Sequence, residues 1–98
     1  MSKKARMKTM TDSERCLQVL FERDGVDGHY VTSCVMIAQT TGMPLRKVRE
    51  TMKRLEAAGH AIRNQEGGCD GWTGKRYCIQ GYSITKDGKK RAASNERQ

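Results

Sequence analysis

The feature that most constrains the fold of this chain is a glycine and a proline placed between two helix-forming segments. Gly42 ends the first segment, and Pro44 opens the second one two residues later. Glycine adopts the left-handed backbone that closes a helix, and proline has the fixed torsion that suits the start of the next. The pattern therefore predicts two helices joined by a turn of about three residues.

The second of these helices is predicted over about residues 44–58, ending at Gly59, and is about 22 Å long at about 1.5 Å per residue. At about 100° per residue, its large apolar side chains fall in one narrow arc: Leu45, Val48, Met52 and Leu55. The charged side chains occupy the opposite face and the flanks: Arg46, Lys47, Arg49, Glu50, Lys53 and Arg54. One face of this helix therefore packs on the core while the other presents bases.

A first helix is predicted from Thr11 to Asp24, before this pair. Thr11 and Glu14 have the spacing of a capping box, and Gly25 lies just past the end of the helix. Its apolar face carries Leu17, Leu20 and Phe21. We expect this helix to form one wall of the core.

The segment between the first two helices predicts a loop over residues 25–28 and one very short strand over residues 29–31. Thr32 or Ser33 then caps a helix over about residues 34–41, whose apolar surface is broad. Three helices are therefore expected before Gly59.

After Gly59 the apolar pattern changes from helical to alternating. Strands are predicted over residues 61–65 and 75–79, and the tip between them, residues 66–74, contains four glycines. The inward side chains are expected to be Ile62, Tyr77 and Ile79. Trp72, in the tip, is expected to brace the loop against the sheet, because a buried indole stabilises more than an exposed one; contact with a partner is the alternative.

The last predicted element is a short helix that Thr85 caps. Gly88 in its first turns weakens the prediction, because glycine is a poor helix former. We expect three regions in all: a flexible basic arm over residues 1–10, a folded domain over residues 11–90 and a flexible basic tail over residues 91–98.

The formal net charge of +8 is unevenly distributed along the chain. Residues 1–8 carry four bases and no acid, and residues 86–98 carry five bases and two acids. Between these ends, residues 44–54 carry five bases and one acid, while the first predicted helix and its loop are acidic. Such segregation orients a molecule towards a polyanion, although a solvated charged face without a partner is the alternative.

Composition and spacing argue against several classes of function. The apolar runs are far shorter than the roughly 20 residues of a spanning helix, and no secretory signal follows the basic amino terminus, so we expect a cytoplasmic protein without membrane contact. The four cysteines show no metal-ligand spacing with each other or with His29 and His60, so reduced thiols and no metal are expected. No catalytic constellation or phosphate-cradling motif is present, so an enzyme, a cofactor and a small-molecule substrate are not expected.

The predicted order is helix, short strand, helix, tight turn, helix and two-stranded hairpin. The stretch Thr41-Gly42-Met43-Pro44 and the helix after it resemble the turn and recognition helix of bacterial winged helix-turn-helix regulators. The stretch Tyr82-Ser83-Ile84-Thr85-Lys86-Asp87-Gly88 resembles the passage after the wing in regulators of the MarR and PadR type. The resemblance covers residues 12–90 and implies an α+β fold with a three-helix core and a two-stranded wing. The chain departs from those regulators in lacking the length for their dimerisation helices.

The resemblance implies a double-stranded DNA-binding protein, a transcriptional regulator, that inserts the helix 44–58 into the major groove. The candidates to face bases are Arg46, Arg49, Glu50 and Lys53, and those to meet phosphates are Lys47, Arg54, Ser33, Lys75 and Arg76. Ser33 has the alternative role of a plain helix cap. Specific control by a domain of this size implies a homodimer or a protein partner.

Two other functions stay open on the sequence. The basic helix is also compatible with a winged-helix module that docks on an acidic protein in a replication or transcription assembly. Binding of RNA or single-stranded DNA is less favoured, because that function uses aromatic stacking platforms and aromatic residues are only 5% of this chain.

Overall fold

The computed structural model describes residues 10–69 and 71–96, and within them the fold is α+β. The elements follow the order α1 (Asp12–Arg23), a 3₁₀ turn (Val26–Gly28), α2 (Cys34–Thr41), α3 (Leu45–Ala57), β1 (Ala61–Cys69), β2 (Arg76–Ile84) and α4 (Lys86–Glu96). The α+β class and the antiparallel hairpin are thus confirmed. The predicted arm 1–10 lies, except for Met10, outside the described residues.

Helix α1 begins as predicted. The Glu14 amide donates to Thr11 Oγ1 at 3.2 Å, and the Thr11 amide donates to the Glu14 carboxylate at 3.4 Å, so the capping box is confirmed. The buried apolar side chains of this helix are Cys16, Leu17, Val19 and Leu20. Helix α1 contacts all three other helices and so forms the centre of the helical layer.

The tight turn between α2 and α3 has the predicted geometry. Ser33 caps α2, because its hydroxyl accepts the Met36 amide at 3.2 Å. Gly42 ends α2 with a φ of 76°, a left-handed conformation that glycine adopts without a steric penalty. The sequence predicts Pro44 as the first residue of α3, but Pro44 is the N-cap residue, one position before the helix begins. The two helices are therefore set against each other by local signals.

The core side of α3 carries Val48, Thr51, Met52 and Leu55, all of them buried. Leu45, at the start of the predicted stripe, is only half-buried. Thr51 is tolerated inside because its hydroxyl donates to the Lys47 carbonyl within the same helix at 2.8 Å. This packing orients the rest of the helix towards solvent.

The hairpin differs from the prediction in length and in the face that it buries. Its strands pair over nine residues each, and the inward side chains are Ala61, Tyr82 and Ile84. Ile62 is 55% exposed and Tyr77 is 40% exposed, so their predicted inward positions are wrong; Ile79 is half-buried. The strand alternates in the other phase, which places every side chain on the face opposite to the one expected.

The loop before α2 contacts β2 along the edge of that strand that does not pair with β1. The amides and carbonyls of Thr32 and Tyr82 exchange two hydrogen bonds, at 2.9 and 3.0 Å, so the predicted strand at residues 29–31 is a single bridge at Thr32. Gly81 makes this approach possible, because a Cβ at that position would lie 2.1 Å from the Thr32 carbonyl oxygen. The hairpin is thereby attached to the start of α2.

Helix α4 confirms the predicted final helix, and it has 11 residues. Thr85 caps it by accepting the Gly88 amide at 3.1 Å, and Gly88 lies against the His60 carbonyl, where a Cβ would come within 2.0 Å. The glycine therefore serves close packing, and Ala92 of the same helix joins the core. This helix packs on α1, and it continues through Glu96 into the predicted tail 91–98. Across the described residues, no helix has the length and apolar character to cross a membrane.

Candidate nucleic-acid interface

Helix α3 presents a charged surface because its other face is buried. All six charged residues predicted on this helix are exposed: Arg46, Lys47, Arg49, Glu50, Lys53 and Arg54. Their positions follow from the buried stripe, since side chains on one face of a helix direct the others outward. The structure therefore brings together the residues that were expected to act together.

The bases on this surface differ in whether an acidic side chain of the protein neutralises them. Lys47 lies 3.1 Å from the Asp12 carboxylate of α1 and forms an ion pair with it. In the part of the chain that the structure describes, Arg46, Arg49 and Lys53 form no ion pair. These three and Arg54, which also forms no ion pair among the described residues, are therefore available to an external anion, while Lys47 has a partner inside the protein.

A groove lies between α3, the start of α2 and the hairpin, with a volume of about 840 Å³. Arg49 and Lys53 line it from α3, and Arg63 lines it from β1; Glu56 is its acidic member. Three positive side chains thus face one negative one. The groove is an anion-attracting extension of the α3 surface.

Arg63 is not among the residues predicted from the sequence. It is exposed, pairs across the hairpin with Tyr82, and shares the inward face of the sheet with Ala61. Alternation counted from Ala61, instead of from Ile62, would have placed it beside α3.

The electrostatic effects on Cys34 indicate how close these groups lie. Burial raises the pKa of the Cys34 thiol at the start of α2, and the positive charges of Arg49 and Arg63 act to lower that pKa. Arg49 and Arg63 also line the same groove as Cys34. The described residues contain no cluster of three or more histidine, cysteine or acidic side chains placed to hold a metal ion.

The remaining predicted residues are more scattered. Ser33 lines the groove and caps α2, so the alternative given for it is confirmed and its contact with a phosphate stays a prediction. Lys75 and Arg76 are exposed at the outer end of the hairpin, because the strands are longer than expected. They lie farther along the hairpin than the groove does. The hairpin residues that line the groove reach only as far as Gln65 on β1 and Gln80 on β2.

The tip of the hairpin holds the largest departure from expectation. Trp72 is 98% exposed, so the prediction that it braces the loop by burial against the sheet is wrong. The outer strand residues on both sides of it are exposed as well, which leaves no buried surface there for an indole to join.

Comparison with known proteins does not assign the chain to a family. No protein-family model, curated protein or solved structure matches it.

Proposed function

We propose that this protein binds double-stranded DNA as a winged helix-turn-helix domain and regulates transcription, with α3 as its recognition helix. One observation carries the proposal. Helix α3 buries Val48, Met52 and Leu55 while its opposite face offers bases that no ion pair of the described chain occupies. A surface of this kind matches a polyanion with a groove wide enough for a helix.

The dimensions and chemistry of α3 support this proposal. The helix has 13 residues, which corresponds to about 20 Å, and the major groove is about 12 Å wide and accepts an α-helix. Arginine donates two parallel hydrogen bonds to guanine, with a discrimination of about 1–3 kcal/mol, and glutamate accepts from the amino group of cytosine. Arg46 and Arg49 therefore suit guanine contacts, and Glu50 suits a cytosine.

The order of the elements supports the class. Helix α2, a tight turn, α3 and a hairpin follow one another, and a bridge at Thr32 attaches the loop before α2 to the hairpin. In such an arrangement the second helix of the pair enters the groove while the amino end of the first lies near the backbone. Ser33 and Arg63, on either side of the groove, suit phosphate contacts.

The test is duplex binding as a function of salt, measured by fluorescence anisotropy of labelled DNA. Affinity is expected to fall steeply between about 50 and 200 mM salt, by about 0.9 logarithmic units per phosphate neutralised. The double variant Arg49→Ala, Lys53→Ala should lose most of the binding. Arg23→Ala, Lys90→Ala removes the same charge from α1 and α4, and should bind nearly as well as the parent.

The outcomes separate this proposal from the other functions. Equal binding by the α3 variant and the parent would exclude α3 as the groove-entering helix, and would favour a module that docks on an acidic protein. Tighter binding of a single strand of the same length than of the duplex would favour RNA or single-stranded DNA. Selection of bound sequences from a random duplex pool then defines the operator if the duplex is the ligand.

A further inference from the structure

The most exposed large apolar side chain of the described residues lies at one end of the molecule. Trp72 is 98% exposed and lies in the turn that joins the two strands of the hairpin. Beyond Glu66 on β1 and before Ile79 on β2, every described hairpin residue is exposed. The hairpin therefore projects from the core and carries an indole at its end.

The hairpin that carries this indole also carries bases on one of its faces. Alternation along β1 and β2 places Arg63 and Arg76 on one face, which near the core lines the groove with Arg49. Lys75 adds a further exposed base next to Arg76. Bases therefore lie near both ends of this face, while the acidic Glu66 lies on the opposite one; this favours an anionic partner for the indole over an apolar one.

The length of the arm also fits DNA. From Arg63 to Cys69 the strand rises about 20 Å at about 3.3 Å per residue. Half a turn of the duplex is about 17 Å, and this is the distance from a major groove to the next minor groove along the axis. The hairpin is therefore long enough for its tip to reach the neighbouring groove when α3 lies in one.

We propose that Trp72 stacks on a nucleobase about half a helical turn from the α3 contact, partly unstacking a base step there. This inference rests on the proposed function. Side chains inserted into the minor groove open a base step at an energetic cost, which is smallest at flexible or unpaired steps. Stacking on the indole offsets that cost, since every base has an aromatic face. The protein should therefore prefer a duplex that contains a short mismatched bubble to a fully paired one.

The experiment uses the fact that Trp72 is the single tryptophan of the chain. Its emission is followed while duplex is added, and binding is measured in parallel by anisotropy of labelled DNA. Stacking should quench the emission in step with binding. The affinity should fall by about 5- to 100-fold in Trp72→Ala, and much less in Trp72→Phe, which keeps an aromatic face.

A matched control is Ile62→Ala. Ile62 is an exposed apolar residue of the same hairpin, but it lies on the face opposite to that of Arg63 and Arg76. Its truncation should therefore leave duplex affinity unchanged. The preference for the bubble should persist in Ile62→Ala and disappear in Trp72→Ala.

The outcomes distinguish this inference from the function on which it rests. Binding of duplex with unchanged emission, and with equal affinity in Trp72→Ala, would overturn the stacking proposal and leave the α3 proposal intact. Quenching by an acidic protein without quenching by duplex would also overturn it, in favour of a protein partner for the tip. Absence of duplex binding by the parent would remove both proposals.

Discussion

The carboxylate of Asp12, in the first turn of α1, lies 3.1 Å from the ammonium group of Lys47 on α3. The pair holds two helices together at the surface, and it also occupies one of the bases that face the proposed ligand. Solvated ion pairs contribute only about 0–1 kcal/mol. A phosphate can therefore compete with Asp12 for Lys47, at the cost of breaking the pair.

Asp12→Asn should strengthen duplex binding about two- to fivefold at low salt, because Lys47 is then released and a negative charge near the ligand is removed. The salt slope should rise by up to about one unit. The matched control is Asp24→Asn, which makes the same change of charge and frees Lys89 of α4 from an ion pair of equal length. An equal gain in both variants would show that net charge, and not Lys47, is responsible.

Gly88→Ala should destabilise the protein, since the new Cβ would lie 2.0 Å from the His60 carbonyl oxygen and force α4 away from the core. Overpacking of this kind costs about 1–3 kcal/mol, and each kcal/mol lowers the Tm of a domain this size by about 4–8 °C. Thermal unfolding followed by circular dichroism measures the change. Gly71→Ala, where no atom lies within 4 Å of the new Cβ, is the control, and an equal loss there would contradict the packing argument.

The contact between Glu66 of β1 and the loop before α2 should make stability depend on pH. The Glu66 carboxylate pairs with His29 and accepts the Tyr30 amide at 2.9 Å, and these hydrogen bonds lower the pKa of Glu66 below its usual value of 4.5. Because the folded-state pKa is the lower one, the stabilisation is present above pH 4.5 and is lost as the pH falls through the folded-state pKa.

Urea unfolding at a series of pH values measures this dependence. The parent should lose stability below pH 4.5 more steeply than Glu66→Gln, which cannot ionise. In a double-mutant cycle, His29→Ala should cost less in the Glu66→Gln background than in the parent. Additive costs would mean that the two side chains do not interact.

The cysteines should differ widely in reactivity. Cys16 is fully buried, and burial raises its pKa to about 12, whereas Cys69 and Cys78 are exposed on the hairpin. The thiolate is the reactive form, so alkylation of the native protein should modify Cys69 and Cys78 first, and Cys16 only on unfolding. Peptide mapping by mass spectrometry identifies the modified sites. Labelling of Cys16 at the rate of the hairpin cysteines would mean that α1 does not pack as described.

The helices follow from the sequence because their signals are local. Thr11 and Glu14 specify the start of α1, and Gly42 specifies the end of α2, through contacts three or four residues away. The exposed bases of α3 follow equally directly, since a helix with one apolar stripe leaves a single face for charge.

The inward face of the hairpin could not be predicted from the sequence. Alternation has two phases, and the size of Ile62 favours the wrong one; Tyr82 and Ile84 on the partner strand already fill the core, so the small Ala61 faces inward. Arg63 is missed for the same reason. Trp72 is misplaced because the benefit of burying an indole requires a neighbouring surface, which the projecting strands do not provide.

The hairpin is attached to the rest of the fold through the loop before α2. Backbone bonds at Thr32 and Tyr82, the Glu66 contacts and an edge-to-face ring contact between His29 and Tyr77 hold the ribbon as far as Tyr77, and the turn with Trp72 lies beyond them. The ribbon is thus supported along most of its length, and only the turn extends past that support. Because the turn lies past these contacts, its length or composition can change in evolution without altering the position of α3.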